Sequence, residues 1–231
     1  MTFSILGRCE RTGRFGIALS SSSPAVPSRC AYLAADVGVA STQNVTDPRL
    51  GPALLATLGE GRSAAEAIES VVADAPHAEY RQLATVDSDG RSAAYSGGEA
   101  LGIYGDRTRA NCVAAGNLLA SEAVLEAATD AFRASDPGEE LEDRLLLALE
   151  AAVEAGGEAG PVYSAGLLAS GTGDVSWPIT NLRVDYDPKA APVRELRRLW
   201  SVWLPQRDDY VVRALDPSGA PAYGVPGDPE N

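Results

Sequence analysis

The chain contains one histidine, His77, and one lysine, Lys189. Most side-chain mechanisms of bond cleavage pass through one of these two residue types, so their settings are decisive. A Ser-His-Asp or Cys-His couple would have to be built on His77, which sits in the polar connection Asp74-Ala75-Pro76-His77-Ala78-Glu79. No G-x-S-x-G elbow accompanies it, and a solvated loop histidine is the first meaning of such a residue, a catalytic base the second. Lys189 lies between Pro188 and Ala190, beyond a strand-like run ending at Tyr186, so a Schiff base or a Ser-Lys couple would stand on a loop. Phosphate-binding glycine motifs are missing, and Gly59-Glu60-Gly61 reads as a turn between helices. The acidic residues lack the spacing of a calcium loop or a zinc helix. No metal and no other cofactor is therefore expected, with carboxylates brought together by folding as the one route left to a metal-dependent hydrolysis.

One general base is not a side chain. The α-amino group of a mature N-terminus titrates at roughly 7.7–8.0, close to working pH, where proton transfer is efficient. Methionine excision favours a small second residue, and removal of Met1 would leave Thr2 carrying both a hydroxyl nucleophile and its base. A threonine in second place is common and means little alone. Here it opens a strand directly, so the amine would be held in a sheet.

The elements that must position these groups follow from periodicity. Thr2, Ser4, Leu6 and Arg8 alternate with Phe3, Ile5, Gly7 and Cys9, a turn follows at Glu10-Arg11-Thr12-Gly13, and Phe15, Ile17 and Leu19 resume the period of two, which predicts a hairpin. Val37 to Thr42 reads as a buried strand. Ser63-Ala64-Ala65-Glu66 is a capping box opening a helix with Ala67, Ile68, Val71 and Val72. Gln82 to Val86 and Arg91 to Tyr95 flank the turn Ser88-Asp89-Gly90. Leu101 to Tyr104 and Asn111 to Ala115 are strand-like, helices are expected near Ser121 to Arg133 and from Glu139 to Ala155, and Tyr163 to Ala169 with Val175 to Trp177 reads as a third hairpin. Leu182 to Tyr186 adds a strand. Val193, Leu196, Leu199, Trp200 and Trp203 stripe a late helix, and the Pro-, Gly- and Asp-rich stretch from about Leu204 reads as an extended tail. Antiparallel hairpins with helices inserted in pairs point to one α+β layered domain over residues 1–231.

Composition narrows the partners. With a formal charge of -13 and a pI near 4.5, most of the surface repels phosphate backbones and anionic lipid, so neither nucleic acid nor membrane is expected as a partner. The start of the chain does not look like a secretory signal and no apolar run is long enough to span a bilayer, which together with the odd, dispersed Cys9, Cys30 and Cys112 predicts a cytoplasmic protein with reduced thiols. Trp200 and Trp203 ahead of the tail point to a subunit contact, hence a homodimer or higher homo-oligomer.

Met1-Thr2-Phe3-Ser4-Ile5, Gly16-Ile17-Ala18-Leu19-Ser20-Ser21-Ser22-Ser23-Pro24, Gly38-Val39-Ala40-Ser41-Thr42-Gln43-Asn44, Ala93-Ala94-Tyr95-Ser96-Gly97, Ala115-Gly116-Asn117-Leu118-Leu119, Ser164-Ala165-Gly166-Leu167-Leu168 and Asn181-Leu182-Arg183-Val184-Asp185 occur in an order and spacing that resembles the DUF1028 family, which is similar to the N-terminal-nucleophile (Ntn) hydrolases. The resemblance covers nearly all of the first 203 residues. It implies a four-layer αββα sandwich with two antiparallel sheets face to face and a nucleophile, Thr2, on the first strand. It further implies attack of Thr2 Oγ on an amide or related acyl carbon, with Asn117 as oxyanion donor, although Asn117 reads equally as a turn residue tolerating a left-handed conformation. Ser4 would hydrogen-bond the amine, or be a solvated strand serine. Ser21, Ser22, Gln43 and Tyr163 are candidates for lining a substrate pocket, the two serines reading otherwise as plain loop. The chain departs from the resemblance at Ser22, where many relatives carry Lys, and at Glu158-Ala159-Gly160-Pro161-Val162-Tyr163, where an arginine-rich segment is expected. Both changes remove positive groups that would have matched a carboxylated substrate.

The expected function is hydrolysis of an amide or peptide-like C–N bond in a small molecule. The alternative is a catalytically inactive scaffold of the same fold that binds a metabolite or a protein.

Overall fold

The computed structural model describes residues 2–227. It opens with the hairpin of β1 (Thr2–Arg8) and β2 (Phe15–Ser21), followed by the one-turn helix α1 (Pro27–Cys30), β3 (Ala31–Ala34) and β4 (Gly38–Asn44). Helices α2 (Leu50–Gly59) and α3 (Ala64–Asp74) come next, then β5 (Arg81–Asp87), β6 (Ser92–Ser96), β7 (Gly105–Arg109) and β8 (Cys112–Asn117). The rest is α4 (Ala123–Ala134), α5 (Leu141–Glu154), β9 (Ser164–Ser170), β10 (Pro178–Val184) and α6 (Pro192–Leu215). One sheet has the order β10-β9-β2-β1-β8-β7 and the other β3-β4-β5-β6, with every pairing antiparallel.

The period-two alternation of β1 sorts its side chains between two layers. Phe3 and Ile5 join the core beneath α4, α5 and α6, whereas Leu6 joins Phe15, Ile17, Leu19, Val39 and Val86 between the two sheets. A third apolar layer, from Leu54, Leu58, Ile68 and Val71 to Leu83, lies between α2 and α3 and the four-stranded sheet. The result is helices, sheet, sheet, helices, as expected for an αββα sandwich. Glycines let the first helical layer approach closely: a Cβ on Gly7 would stand 2.5 Å from Phe132 Cζ, and one on Gly16 would stand 2.6 Å from Leu145 Cδ1.

Local signals are realised where they were strongest. The Ser63 side chain accepts from the Glu66 N–H and Glu66 reaches back to the Ser63 N–H at 2.8 Å, completing the capping box of α3. Asp87 Oδ2 accepts the Ala64 N–H at 2.9 Å, and Asp87 Oδ1 accepts the N–H groups of Asp89 and Arg91, which closes the β5–β6 turn.

Four expectations are corrected. Leu101 to Tyr104 is not a strand; its carbonyls at Leu101 and Ile103 instead accept the N–H groups of Leu118 and Leu119, and β7 starts at Gly105. Val175 to Trp177 belongs to the turn before β10, which then runs without a break into the strand expected from Leu182. The stretch after Leu204 is not extended, because α6 continues through Pro205 to Leu215. Beyond the proline, Arg207 is held by Glu140, Glu142 and Asp208, tying that part of the helix to the start of α5. Finally, Trp200 is 2% exposed in the core and the Trp203 indole N–H donates to the Ile179 carbonyl at 3.1 Å, so the two tryptophans anchor α6 to its own sheet; its exposed apolar residues are Val202, Leu204, Tyr210, Val212 and Leu215.

Candidate active site

Thr2 is 3% exposed at the start of β1, directly opposite Asn117 on β8. By strand alternation it shares the inter-sheet face with Ser4, whose hydroxyl donates across the layer to Gln43 Oε1 at 2.9 Å. Gln43 Nε2 donates to Gln82 Oε1 at 2.8 Å, and Asn117 Nδ2 donates to the same oxygen at 3.0 Å. Gln82 Nε2 in turn faces the Gly116 carbonyl at 2.9 Å, the Gly105 carbonyl at 3.2 Å and the Ser96 hydroxyl at 2.9 Å.

This chain of amides has only one consistent polarity. Main-chain carbonyls only accept, so the end of Gln82 that meets two of them must be the NH2. Its Oε1 then has to receive from Gln43 and Asn117, which fixes Gln43 Oε1 toward Ser4 and makes Ser4 the donor. The same logic turns the Asn117 carbonyl away from Gln82, and Asn117 Oδ1 is buried with no hydrogen-bond partner among the described residues. Asn117 is a strand residue with 0% exposure, and the left-handed conformation falls to Leu118, with φ of 52°. The turn-residue alternative for Asn117 and the solvated alternative for Ser4 are thereby corrected.

The far side of β1 supplies a second polar group. The register that sets Phe3 opposite Ser20 brings Thr2 level with the end of β2 at Ser21. Ser21 is fully buried; its hydroxyl accepts the Ser23 N–H at 3.0 Å and its carbonyl accepts the Tyr163 N–H at 2.8 Å. The Ser22 N–H donates to Glu158 Oε1 at 3.0 Å, while Ser22 Oγ and Glu158 Oε2 are both buried and outside hydrogen-bonding geometry. Glu158 reaches this place because it bridges to Leu119, two residues beyond Asn117, and because the Ala159 N–H binds the Leu118 carbonyl. Burial pushes its carboxyl above the usual range, against the Ser22 N–H, which holds it back. Tyr163 is stacked on Tyr186 with ring centroids 5.4 Å apart.

Ser4, Gln43 and Asn117 therefore form one bonded group through Gln82, whereas Ser22 meets Glu158 through its N–H and Ser21 holds the main chain of Tyr163. Sequence reasoning missed Gln82 and Glu158. Gln82 opens the strand run Gln82 to Val86 with no local signal that sets it apart from Thr85, and Glu158 stood out only as part of the segment that departs from the family resemblance. His77 stands apart on a turn with its side chain 72% exposed, 3.9 Å from Glu79. Lys189 is exposed, and Cys9, Cys30 and Cys112 are free and buried. Among the described residues no group of three His, Cys, Asp or Glu side chains is poised to hold a metal ion, and no helix is long and apolar enough to cross a membrane.

Two antiparallel sheets packed between helical layers, with the first strand starting in a buried polar layer between the sheets, define a four-layer αββα sandwich. The chain belongs to DUF1028, a family of unknown function, whose pattern matches residues 2–196. It is similar to the crystal structure of the DUF1028 protein SPO2555 from Silicibacter pomeroyi, with 34% identity, a TM-score of 0.79, and 87% of this chain covering 88% of that one. Weaker likeness extends to a Gly-1 mutant of Anbu from Hyphomicrobium sp. strain MC1, with 12% identity, a TM-score of 0.44 and coverage of 89% and 96%. Anbu, an ancestral β-subunit, from Yersinia bercovieri stands at 10% identity, a TM-score of 0.40 and coverage of 88% and 95%. No curated protein matches the chain.

Proposed function

We propose that the chain hydrolyses an amide or peptide-like C–N bond of a small molecule, with Thr2 as nucleophile after removal of Met1. The observation that carries this reading is the polarised chain Ser4–Gln43–Gln82–Asn117, which leaves a buried amide carbonyl without a partner on the residue opposite Thr2. Asn117 Oδ1 then accepts an N–H of the mature α-amine and orients its lone pair toward the Thr2 hydroxyl. The amine takes the hydroxyl proton through a water, Oγ adds to the acyl carbon, and the proton passes to the leaving nitrogen. The second N–H of the Asn117 amide, not needed by Gln82, is the donor to the oxyanion. Water cleaves the resulting ester by the same route in reverse. No metal or cofactor enters the scheme.

Glu158 and Ser22 line the neighbouring side of the site, where two buried polar atoms lack partners, and a substrate N–H or amine fits that carboxyl better than a substrate carboxylate does. The three free buried thiols support a cytoplasmic setting, and the exposed apolar residues of α6 support self-association.

The test is the intact mass of the native protein, followed by a panel of small amides with Thr2→Ala and Thr2→Ser variants. Loss of one methionine, turnover by the parent, none by Thr2→Ala and partial turnover by Thr2→Ser is the expected set. Full retention of Met1 overturns the reading in favour of a binding scaffold, and turnover by Thr2→Ala equal to the parent's overturns Thr2 as the nucleophile.

A further inference from the structure

Thr2 stands at one end of β1. At the other end, Arg8 borders a cleft of about 260 Å³ lined also by Glu10, Asn111, Phe132, Arg133 and Arg144. We infer that this cleft is a binding site for a small oxyanion, a carboxylate or phosphate group, separate from the Thr2 site and independent of any activity there.

The argument starts from charge. In a chain with a formal charge of -13, arginines are expected to find carboxylates, and many do: Arg14 contacts Glu140 and Glu142, Arg197 contacts Asp143 and Glu150, and Arg207 contacts Glu140, Glu142 and Asp208. Arg8, Arg133 and Arg144 converge on one cleft, and none of them forms an ion pair among the described residues. The single carboxylate at the rim, Glu10, is engaged by the side-chain N–H of Asn111.

Burial sharpens the point. Arg144 is 6% exposed, yet its fixed contacts are all neutral: Nε donates to Ser135 Oγ at 2.9 Å, Nη2 lies 3.4 Å from the Phe132 carbonyl, and the guanidinium carbon sits 4.5 Å from the centre of the Phe132 ring. The Nε–H of Arg8 is buried without an acceptor, while its Nη1 makes only a long contact of 3.4 Å to Asn111 Oδ1. A cation held out of water without a counter-charge is costly, and a buried donor without an acceptor calls for an ion or a water. An oxyanion between these guanidinium groups answers both needs, since their planar forks match the paired oxygens of a carboxylate or phosphate.

The site is also built in advance. Phe132 lies against β1 where Gly7 has no Cβ, and it is this ring that carries Arg144; Ser135 then sets the plane of the guanidinium. The volume is below the roughly 300–1,000 Å³ of sites that enclose a whole drug-sized ligand. It suits a small dianion, or the anionic end of a larger molecule whose remainder stays in solvent.

The experiment is isothermal titration of the full chain with inorganic phosphate and, separately, with succinate, at constant ionic strength maintained with chloride. Saturable binding of either probe at one equivalent is expected, with phosphate preference marking a phosphate ester and succinate preference a carboxylate as the natural group. Arg133→Glu, which changes an exposed side chain, and the double variant Arg8→Gln with Arg133→Ala should each weaken binding by about tenfold or more, while Arg49→Ala, remote from the cleft, should not. Absence of saturable heat with both probes, or unchanged affinity in Arg133→Glu, overturns the proposal. Thr2→Ala should bind the probes as the parent does, so the outcome does not depend on the Thr2 chemistry.

Discussion

The Asn117 side chain donates to Gln82 Oε1 at 3.0 Å, and through that bond β5 in one sheet decides which end of an amide on β8 in the other is left open. Asn117 alone could present either end, because its oxygen and nitrogen differ little in size. Gln82, pinned by two main-chain carbonyls, removes that freedom. The orientation at Thr2's neighbour is therefore a property of the pairing of two sheets.

Replacing Gln82 with Met should strand the Gly116 carbonyl and the donors of Gln43 and Asn117 in a fully buried layer. Each stranded group costs about 1–3 kcal/mol, less where a water enters. Urea unfolding should show a clearly lower midpoint, and any amide turnover should fall with it as Asn117 regains its freedom. An unchanged midpoint would mean that the network contributes nothing to orientation.

Glu158 should leave a signature in the pH dependence of stability. Burial raises its folded carboxyl above the unfolded value of about 4.3, so its contribution is complete below that value and declines as pH rises toward the raised one. Glu158→Gln removes the ionisation, so the variant should gain on the parent between about pH 4 and the raised value. Parallel stability profiles for the two proteins across that range would rule this out.

Asp87 shows the opposite sign. Burial works to raise its carboxyl, but the N–H groups of Ala64 and Arg91 and the Arg91 guanidinium outweigh it and hold the carboxyl below its ordinary value. Its contribution is present above about pH 3.9 and lost as pH falls through the lowered folded value. Asp87→Ala releases both the α3 N-terminus and the β5–β6 turn, with an expected cost of about 2–4 kcal/mol at pH 7 and a smaller difference from the parent in acid. A difference that does not shrink below pH 3 would contradict this assignment.

Glu142, 0% exposed, accepts from Thr180 at 2.7 Å and lies between Arg14 and Arg207. Glu142→Ala leaves Arg14 and Arg207 to share the half-exposed Glu140, with Asp208 beside Arg207, and should cost about 3 kcal/mol, the low end for breaking a buried ion pair. The loss should be greatest for the part of α6 beyond Pro205, visible as faster hydrogen exchange around Arg207. Uniform exchange along α6 in the variant would show that the ion cluster does not hold that segment.

The elements legible in the residues alone are those whose signals are local. The alternation of Phe3, Ser4, Ile5 and Leu6, the Ser63–Glu66 capping box, the Ser88-Asp89-Gly90 turn and the α5 stripe of Leu141, Leu145 and Leu149 each depend on neighbours within a few positions, where backbone geometry sets which side chains meet. The alternation was enough to place Thr2 and Ser4 on one face, and Gln43 and Asn117 were already among the candidates. Their connection was not readable, because Gln82 lies 39 residues from Gln43 and 35 from Asn117, and only the stacking of one sheet on the other brings the three amides together. The same holds for Glu158, which lay in a stretch with no periodic signal and enters the site through a bridge to Leu119. The Pro-, Gly- and Asp-rich composition from about Leu204 favoured an extended tail, whereas α6 continues through Pro205 to Leu215, with Arg207 reaching carboxylates at the start of α5. Short-range stereochemistry thus set the strands and helices, and the facing of two sheets and the burial of charge decided what stands beside Thr2.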